Sequence, residues 1–183
     1  MDKLVEAGAQ LADETGFEQL TGAALARHFD VKLASLYSHV ASFDDLKSRI
    51  ALFALQELAE RAADALAGRT GKDALAALAN VYRDYARAHP GRFAAARHPV
   101  SGGRAAASAG GQLVRMTAAV LRSYGLPDSD QAHAIRLLGG FFMGYVTLES
   151  AGGFSHSAPD SDVSWARSLD ALDVMLRHWP SAA

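Results

Sequence analysis

The stretch TGAALARHFDVKLASLYSHV, residues 21–40, decides the fold. Thr21 is a favoured N-cap residue ahead of a short segment whose apolar positions recur at helical spacing. Asp30 and Val31 break that period, and a further short helix is expected over residues 32–39. Two short helices joined by a turn are the design of a helix-turn-helix, which places its second helix in the major groove of DNA. A plain pair of helices in a bundle has a similar pattern, so this stretch alone leaves both interpretations open.

The rest of the chain has the same helical periodicity. Ala-rich segments with apolar residues three and four apart recur throughout, whereas the alternating patterns of strands are absent. The sequence therefore predicts an all-α fold. Ser42 is the expected N-cap of the fourth helix, with Asp45 at its third position in a capping-box arrangement. Besides the helix that follows Thr21, helices are expected over residues 2–15, 32–39, 43–67, 72–88, 112–124, 128–150 and 162–179, with a short one before Pro99.

Composition excludes several classes of protein. With 183 residues, 50% of them hydrophobic and 21% charged, the chain is expected to be soluble and globular. The absence of cysteine excludes disulfides, thiolate catalysis and zinc–thiolate sites, and it agrees with a cytoplasmic location. The N-terminus has no signal-peptide pattern, and the apolar stretch Leu137–Leu148 is well short of the ~20 residues that span a bilayer. We therefore expect no membrane partner.

No pattern in the sequence supports catalysis. A nucleophile elbow, a phosphate loop and a dinucleotide fingerprint are all absent. Asp130 and His133 have the spacing of a di-metal bundle, but such sites need a second helix of the same kind, and the sequence contains none. We therefore predict no catalytic residue, no metal and no cofactor. A helical small-molecule-binding or enzymatic bundle without DNA binding stays open as the alternative function.

Residues 4–50 resemble the N-terminal DNA-binding domain of the tetracycline-repressor (TetR) family. The shared motifs are, in chain order, Gly16-Phe17, Leu20-Thr21 and Leu36-Tyr37-Ser38-His39-Val40. Residues 82–93 and 140–154 are similar to the WHG-type C-terminal domain of one branch of that family. The resemblance implies a helix-turn-helix domain over residues 1–46 and a C-terminal bundle for ligand binding and dimerisation over residues 47–183.

Three positions depart from the family pattern. Asp30 stands where the turn usually has glycine, and aspartate adopts a left-handed conformation at modest cost. Phe43 replaces a lysine that contacts a phosphate in many members at the start of helix 4. The Trp-His-Gly signature reads Phe142-Met143-Gly144, so the role of that histidine is not carried over.

The resemblance further implies a transcriptional regulator, most often a repressor in this family. A homodimer would bind a palindromic operator in double-stranded DNA and respond to an unidentified small-molecule effector. Because residues 1–50 contain five basic and eight acidic side chains, we expect few phosphate contacts and a shallow salt dependence. Lys32 supplies charge, while hydroxyl and imidazole donors position the protein on the duplex. The expected DNA contacts are Thr21, Lys32, Leu33, Ala34, Ser35, Tyr37, Ser38 and His39. Two structural alternatives stay open: Tyr37 as a half-buried aromatic residue, and His39 as a cap at the C-terminus of its helix.

Aromatic and sulfur-bearing side chains recur on the helices of the C-terminal bundle. In an enlarged bundle they are expected to line an effector chamber, although residues of these types are also typical of an ordinary core. The expected ligand-binding residues are Phe53, Tyr82, Tyr85, Phe93, Met116, Phe141, Tyr145 and Glu149.

The last two long helices are the expected dimer face, because the family pairs these helices with their two-fold mates. Gly140 and Gly144 have the spacing that lets another helix approach closely, and the spacing leaves open whether that helix is internal or from a second subunit. The final helix offers an apolar stripe for the same contact, made of Leu169, Leu172, Met175 and Leu176.

Overall fold

A computed structural model describes residues 3–36, 40–100 and 109–180. This part of the chain is helical and contains no strand, so the predicted all-α fold is confirmed. Short 3-10 turns follow the first and seventh helices, at Phe17–Gln19 and Arg122–Tyr124. The α-helices are α1 Lys3–Thr15, α2 Gly22–His28, α3 Leu33–Leu36, α4 Phe43–Leu66, α5 Gly71–Ala88, α6 Pro90–Ala95, α7 Ala109–Leu121, α8 Asp128–Ser150 and α9 Ser161–Arg177.

Most helix bounds agree with the predicted ones to within a residue or two, and α8 agrees at both ends. The short helix before Pro99 begins at Pro90, because proline lacks an N–H and is well tolerated in the first turn. The Ser42 cap of α4 is confirmed, since the Asp45 N–H donates to Ser42 Oγ at 3.0 Å. Asp45 Oδ2 in turn accepts from the Ala41 N–H at 3.2 Å.

The described helices form two compact units. One comprises Met1–Ala59 with Tyr85–Gly111, and the other comprises Glu60–Asp84 with Gln112–Ala183. We call these unit 1 and unit 2. Helices α4 and α5 contribute residues to both units. The two units are defined by how the chain packs and not by function. The predicted functional domains, residues 1–46 and 47–183, stay a prediction.

Unit 1 packs α2, α4 and α6 closely against α1. A Cβ at Gly8 would lie 2.7 Å from Ile50 Cδ1. The two helices α1 and α4 therefore approach closely at a position where glycine has no side chain. A Cβ at Gly91 would lie only 1.9 Å from the Ala12 carbonyl oxygen, so the start of α6 rests on the backbone of α1. The core residue Leu25 fixes α2 on the same cluster. Unit 1 thus holds the helix-turn-helix on a closely packed support.

Polar contacts also tie α6 to α1 and α4 within unit 1. Asp13 Oδ1 accepts the Arg92 backbone N–H at 2.8 Å, and Asp13 Oδ2 lies 3.2 Å from His89 Nδ1. Arg92 Nη1 donates to Glu57 Oε1 at 3.0 Å. The carboxylates of Asp13 and Glu57 therefore anchor the segment that follows α5.

Unit 2 buries an apolar face of α9. The Trp165 indole N–H donates to Asn80 Oδ1 at 2.8 Å, which joins α9 to α5. At the other end of α9, Asp173 Oδ1 accepts from the Tyr124 hydroxyl at 2.9 Å and Oδ2 accepts from Arg177 Nε at 2.9 Å. The hydrogen bond from Arg177 lowers the pKa of the Asp173 carboxyl.

The predicted dimerisation stripe on α9 is wrong for three of its four residues. Leu169, Leu172 and Leu176 are buried in unit 2 itself, while Met175 is half-buried. Helical periodicity identifies the apolar face of a helix but not the neighbour that covers it. In the described part of the chain, no helix is both long and apolar enough to cross a membrane.

Candidate DNA interface and effector site

Thr21 begins α2 in the manner of an N-cap. Its backbone is extended, with φ −133° and ψ 155°, and its Oγ accepts the Ala24 N–H at 3.1 Å. This hydrogen bond satisfies one of the donors that the first turn leaves open. The exposed hydroxyl keeps its own hydrogen, which can be donated to a phosphate oxygen.

The turn after α2 is a Schellman motif. The Val31 N–H donates to the Ala26 carbonyl at 2.9 Å, and the Asp30 N–H donates to the Arg27 carbonyl at 3.2 Å. Asp30 has φ 52°, so the expected left-handed conformation at the position where the family usually has glycine is confirmed. The motif ends α2 at His28 and redirects the chain into α3.

Of the residues predicted to contact bases, α3 contains Leu33, Ala34 and Ser35, and Lys32 directly precedes it. Lys32 and Ser35 are exposed, and the Ser35 N–H donates to the Lys32 carbonyl at 2.8 Å. Leu36 is buried and fastens α3 to the core of unit 1. Leu33 and Ala34 belong to the helix, whereas Tyr37, Ser38 and His39 lie outside the described residues. The predicted contacts of all these residues with DNA stay predictions.

Of the five basic residues in the first fifty, Arg49 and Lys47 have partners among the described residues. Arg49 pairs with Asp45 at 2.8 Å. The Lys47 ammonium lies 5.0 Å from the centre of the Phe17 ring and 5.8 Å from that of Phe43, within cation–π range. This geometry leaves the predicted interface with few cations for phosphates.

The eight predicted ligand-binding residues divide between the two units. Phe53, Tyr85 and Phe93 belong to unit 1. Phe53 packs on the core of that unit, Phe93 is buried, and the Tyr85 hydroxyl donates to Glu57 Oε2 at 2.9 Å. Burial and the nearby Glu57 carboxylate raise the pKa of the Tyr85 phenol. All three residues therefore have packing roles in unit 1.

The other five ligand candidates lie in unit 2, where three of them pack with further aromatic side chains. The Phe141 ring stacks on Trp165, with centroids 5.7 Å apart and planes 16° from parallel. The Tyr145 ring lies 4.9 Å from Trp165, and its hydroxyl donates to the Ser161 carbonyl at 2.9 Å. Tyr82 is buried, which raises its pKa to about 12. The Tyr82 ring, on α5, lies 5.5 Å from that of Phe142, so the aromatic layer joins α5, α8 and α9.

Glu149, a predicted ligand residue, is held by an arginine that the sequence did not single out. Arg83 is only 6% exposed, and its Nε donates to Glu149 Oε2 at 2.9 Å while Nη2 donates to Oε1. Arg83 also pairs with Asp162 at 2.7 Å, and its guanidinium carbon lies 5.2 Å from the centre of the Trp165 ring. The hydrogen bond to Glu149 raises the pKa of Arg83, so this guanidinium is charged at neutral pH.

Glu149 and Met116 line two different cavities in the described part of the chain. Glu149 contributes to a cleft of about 270 Å³ beside the loop that precedes α9, together with Phe154, Asp160 and serine side chains. Met116 lines a smaller, mostly apolar cavity of about 140 Å³. Among the described residues, no group of three or more histidine, aspartate or glutamate side chains is placed to hold a metal ion.

Sequence comparison establishes the family. Residues 75–172 match the model described as "Tetracyclin repressor-like, C-terminal domain". An uncharacterized HTH-type transcriptional regulator of Mycobacterium tuberculosis is 34% identical over 155 residues, which cover 82% of this chain and 70% of the relative. The chain therefore belongs to the TetR-like family of transcriptional regulators, and the predicted resemblance is confirmed. Members of this class are not enzymes, so the enzymatic alternative is not favoured.

Solved structures confirm the fold over the whole chain. A TetR variant from Acinetobacter baumannii in complex with minocycline has a TM-score of 0.75 at 19% identity, covering 100% of this chain and 99% of its own. The structure of BioQ with its double-stranded DNA operator has a TM-score of 0.68 at 22% identity, covering 95% of each chain. These structures show the fold alone, and the family match identifies the chain as an HTH-type transcriptional regulator.

Proposed function

We propose that this protein is a cytoplasmic repressor that binds a palindromic operator as a homodimer and leaves it when a small-molecule effector binds. The observation that carries the proposal is the geometry of residues 21–36. A capped α2, a left-handed turn at Asp30 and a short α3, with Lys32 exposed just before it and Ser35 exposed on it, have the arrangement of a helix-turn-helix. Family membership supports this interpretation over a plain pair of bundle helices.

The DNA contacts proposed for this interface divide into two kinds. Thr21, Tyr37 and His39 would donate to phosphates and set the register of the protein on the duplex. Lys32, Leu33, Ala34, Ser35 and Ser38 would face base edges or the backbone. Sequence selectivity would depend on small groups such as the Ser35 hydroxyl, which hydrogen-bonds to several bases, and on apolar contact with thymine methyl groups.

The proposed dimer uses the outer faces of α8 and α9. On α8, Leu137 and Leu148 are 40% and 54% exposed, and a Cβ at Gly140 or Gly144 would meet nothing within 4 Å in the described structure. These four positions recur at helical spacing and share one face. A self-complementary contact along this face would give the two-fold symmetry that a palindromic operator requires.

Sedimentation equilibrium tests the dimer. A Leu148→Glu variant is expected to sediment as a monomer, because the new carboxylate would be buried at the two-fold contact. Val114→Glu is the matched control, since Val114 is exposed to a similar degree on α7. A dimeric Leu148→Glu protein would place the interface elsewhere.

Selection from a random duplex pool tests DNA binding directly. The purified protein should enrich a palindrome at ~0.1 M salt, because specific regulators exceed their own nonspecific affinity by ~10³ or more. The enriched duplex then serves as the probe in an effector screen that follows release of bound DNA. Failure of a folded, dimeric protein to enrich any sequence would contradict the proposal.

The effector is proposed to bind in unit 2, where Tyr82, Met116, Phe141, Tyr145 and Glu149 lie. An effector can release DNA only if it binds more tightly to the form of the dimer that does not fit the operator. The solved TetR variant that holds minocycline shows that this fold accommodates a small molecule in a relative.

A further inference from the structure

A small cavity in unit 2 lies where the end of α4, the start of α5 and the last turns of α7 meet. Its volume is about 140 Å³. An engineered apolar cavity of about 150 Å³ stays dry and binds benzene, so a space of this size suits one ring or a short branched chain. The wall residues are Leu66, Ala74, Met116, Ala119 and Val120, and the remaining lining residues are Arg69, Thr70 and Ser123.

The polar lining of the cavity includes a cation, the Arg69 guanidinium, which favours an anionic ligand. Arg69 is exposed, and its guanidinium makes no ion pair with a carboxylate anywhere in residues 3–36, 40–100 and 109–180. Thr70 directly precedes α5, an 18-residue helix whose first N–H groups and dipole attract negative charge. The Ser123 hydroxyl is already used, since it donates to the Val120 carbonyl at 2.7 Å.

Arg69 is the cation that can pair with a ligand in this cavity, because the neighbouring Lys72 already has a partner. Lys72, in the first turn of α5, pairs with Asp170 at 2.7 Å and does not line the cavity. The larger cleft beside Glu149 is a weaker candidate, because Arg83 already neutralises the Glu149 carboxylate.

We propose that the cavity lined by Met116 binds a small apolar carboxylate, whose ring or branched chain fills the apolar wall while its carboxylate pairs with Arg69. As an effector site, this inference rests on the function proposed above. A bidentate arginine–carboxylate pair at the rim gives orientation, and the buried apolar part supplies most of the affinity.

Isothermal titration of the full-length protein with benzoate tests the site. Benzoate is expected to bind once per chain with a Kd of about 1 mM or tighter, and neutral benzamide of the same shape about tenfold more weakly or worse. Arg69→Ala should weaken benzoate at least about tenfold and leave benzamide unchanged, because only the charged hydrogen bonds are lost. Arg115→Ala is the matched control, since Arg115 is an exposed arginine of α7 outside the cavity.

A second variant tests the cavity itself. Ala119→Phe places a ring at the wall and should abolish binding of both probes, while an unchanged thermal midpoint shows that the chain is folded. Equal affinity for benzoate and benzamide would overturn the anionic site, and the absence of any heat with about 10 mM benzoate would overturn the cavity as a ligand site.

Regulation is measured separately on the selected duplex. Benzoate should lower the affinity of the wild-type protein for this duplex, and the Arg69→Ala variant should respond only at about tenfold higher concentration. Binding without release would contradict the effector role but not the site. Failure to select any duplex would contradict the proposed function and would leave the calorimetric result on the site unaffected.

Discussion

Replacing Glu149 by glutamine should destabilise the protein substantially, because it breaks the ion pair with buried Arg83. Removal of one partner from a buried pair costs about 3–5 kcal/mol, since the remaining charge is left in a poorly solvated site. Arg83 keeps Asp162, whose side chain is 67% exposed, so we take the lower end of that range, about 3 kcal/mol. For a chain of this length, the loss corresponds to a fall in Tm of about 6–12 °C.

Urea unfolding followed by tryptophan fluorescence measures this loss, because Trp165 lies against the Arg83 guanidinium. Asp162→Asn is the matched control and should cost less than about 1 kcal/mol, the range for exposed ion pairs. An Arg83→Met/Glu149→Leu double variant should recover much of the stability, because apolar replacement of both partners removes the unpaired charge. A Glu149→Gln protein within about 0.5 kcal/mol of the wild type would refute a structural role for this pair.

Three further predictions follow from the fold. Gly91→Ala should cost about 2–3 kcal/mol in urea unfolding, because its Cβ would lie 1.9 Å from the Ala12 carbonyl oxygen, whereas Gly139→Ala has open space and should cost nothing. The Asp173 pKa is lowered by Arg177, so this carboxylate stabilises the fold above its unfolded pKa of about 3.9 and loses that effect as pH falls through the lower folded value. The difference in free energy of unfolding between the wild type and Asp173→Asn, measured from pH 7 to pH 3, should therefore become smaller below about pH 4. In a salt titration of operator binding, the slope of log K against log salt should be shallower than about −9, the value for ten phosphate contacts per dimer.

Local signals in the sequence predicted the helix-turn-helix well. The Thr21 and Ser42 caps and the left-handed Asp30 depend on residues only a few positions apart, so the chain itself specifies them. Helix bounds followed from apolar periodicity and from glycine and proline positions for the same reason. The start of α6 was not predicted, because Pro90 both stops the preceding helix and begins the next.

Contacts between residues that are far apart in the sequence could not be predicted from local sequence patterns. Arg83 and Glu149 are 66 residues apart, and nothing in the sequence near either residue indicates that they meet. The same limit explains why Leu169, Leu172 and Leu176 were assigned to a dimer face although unit 2 buries them. The expected ligand-binding residues belong to both units, and their contact with an effector stays a prediction.

The central claim is that α3 and the residues beside it contact the operator DNA. It is tested most directly by the affinity of a Lys32→Ala/Tyr37→Ala variant for the selected operator. Both proteins would be compared by fluorescence anisotropy at ~0.1 M salt, with a scrambled duplex to report nonspecific binding. We predict a loss of about tenfold or more on the operator, with unchanged dimerisation and thermal midpoint, because a charge and a phosphate contact are removed from the exposed interface. Unchanged operator affinity in the folded, dimeric variant would contradict the account.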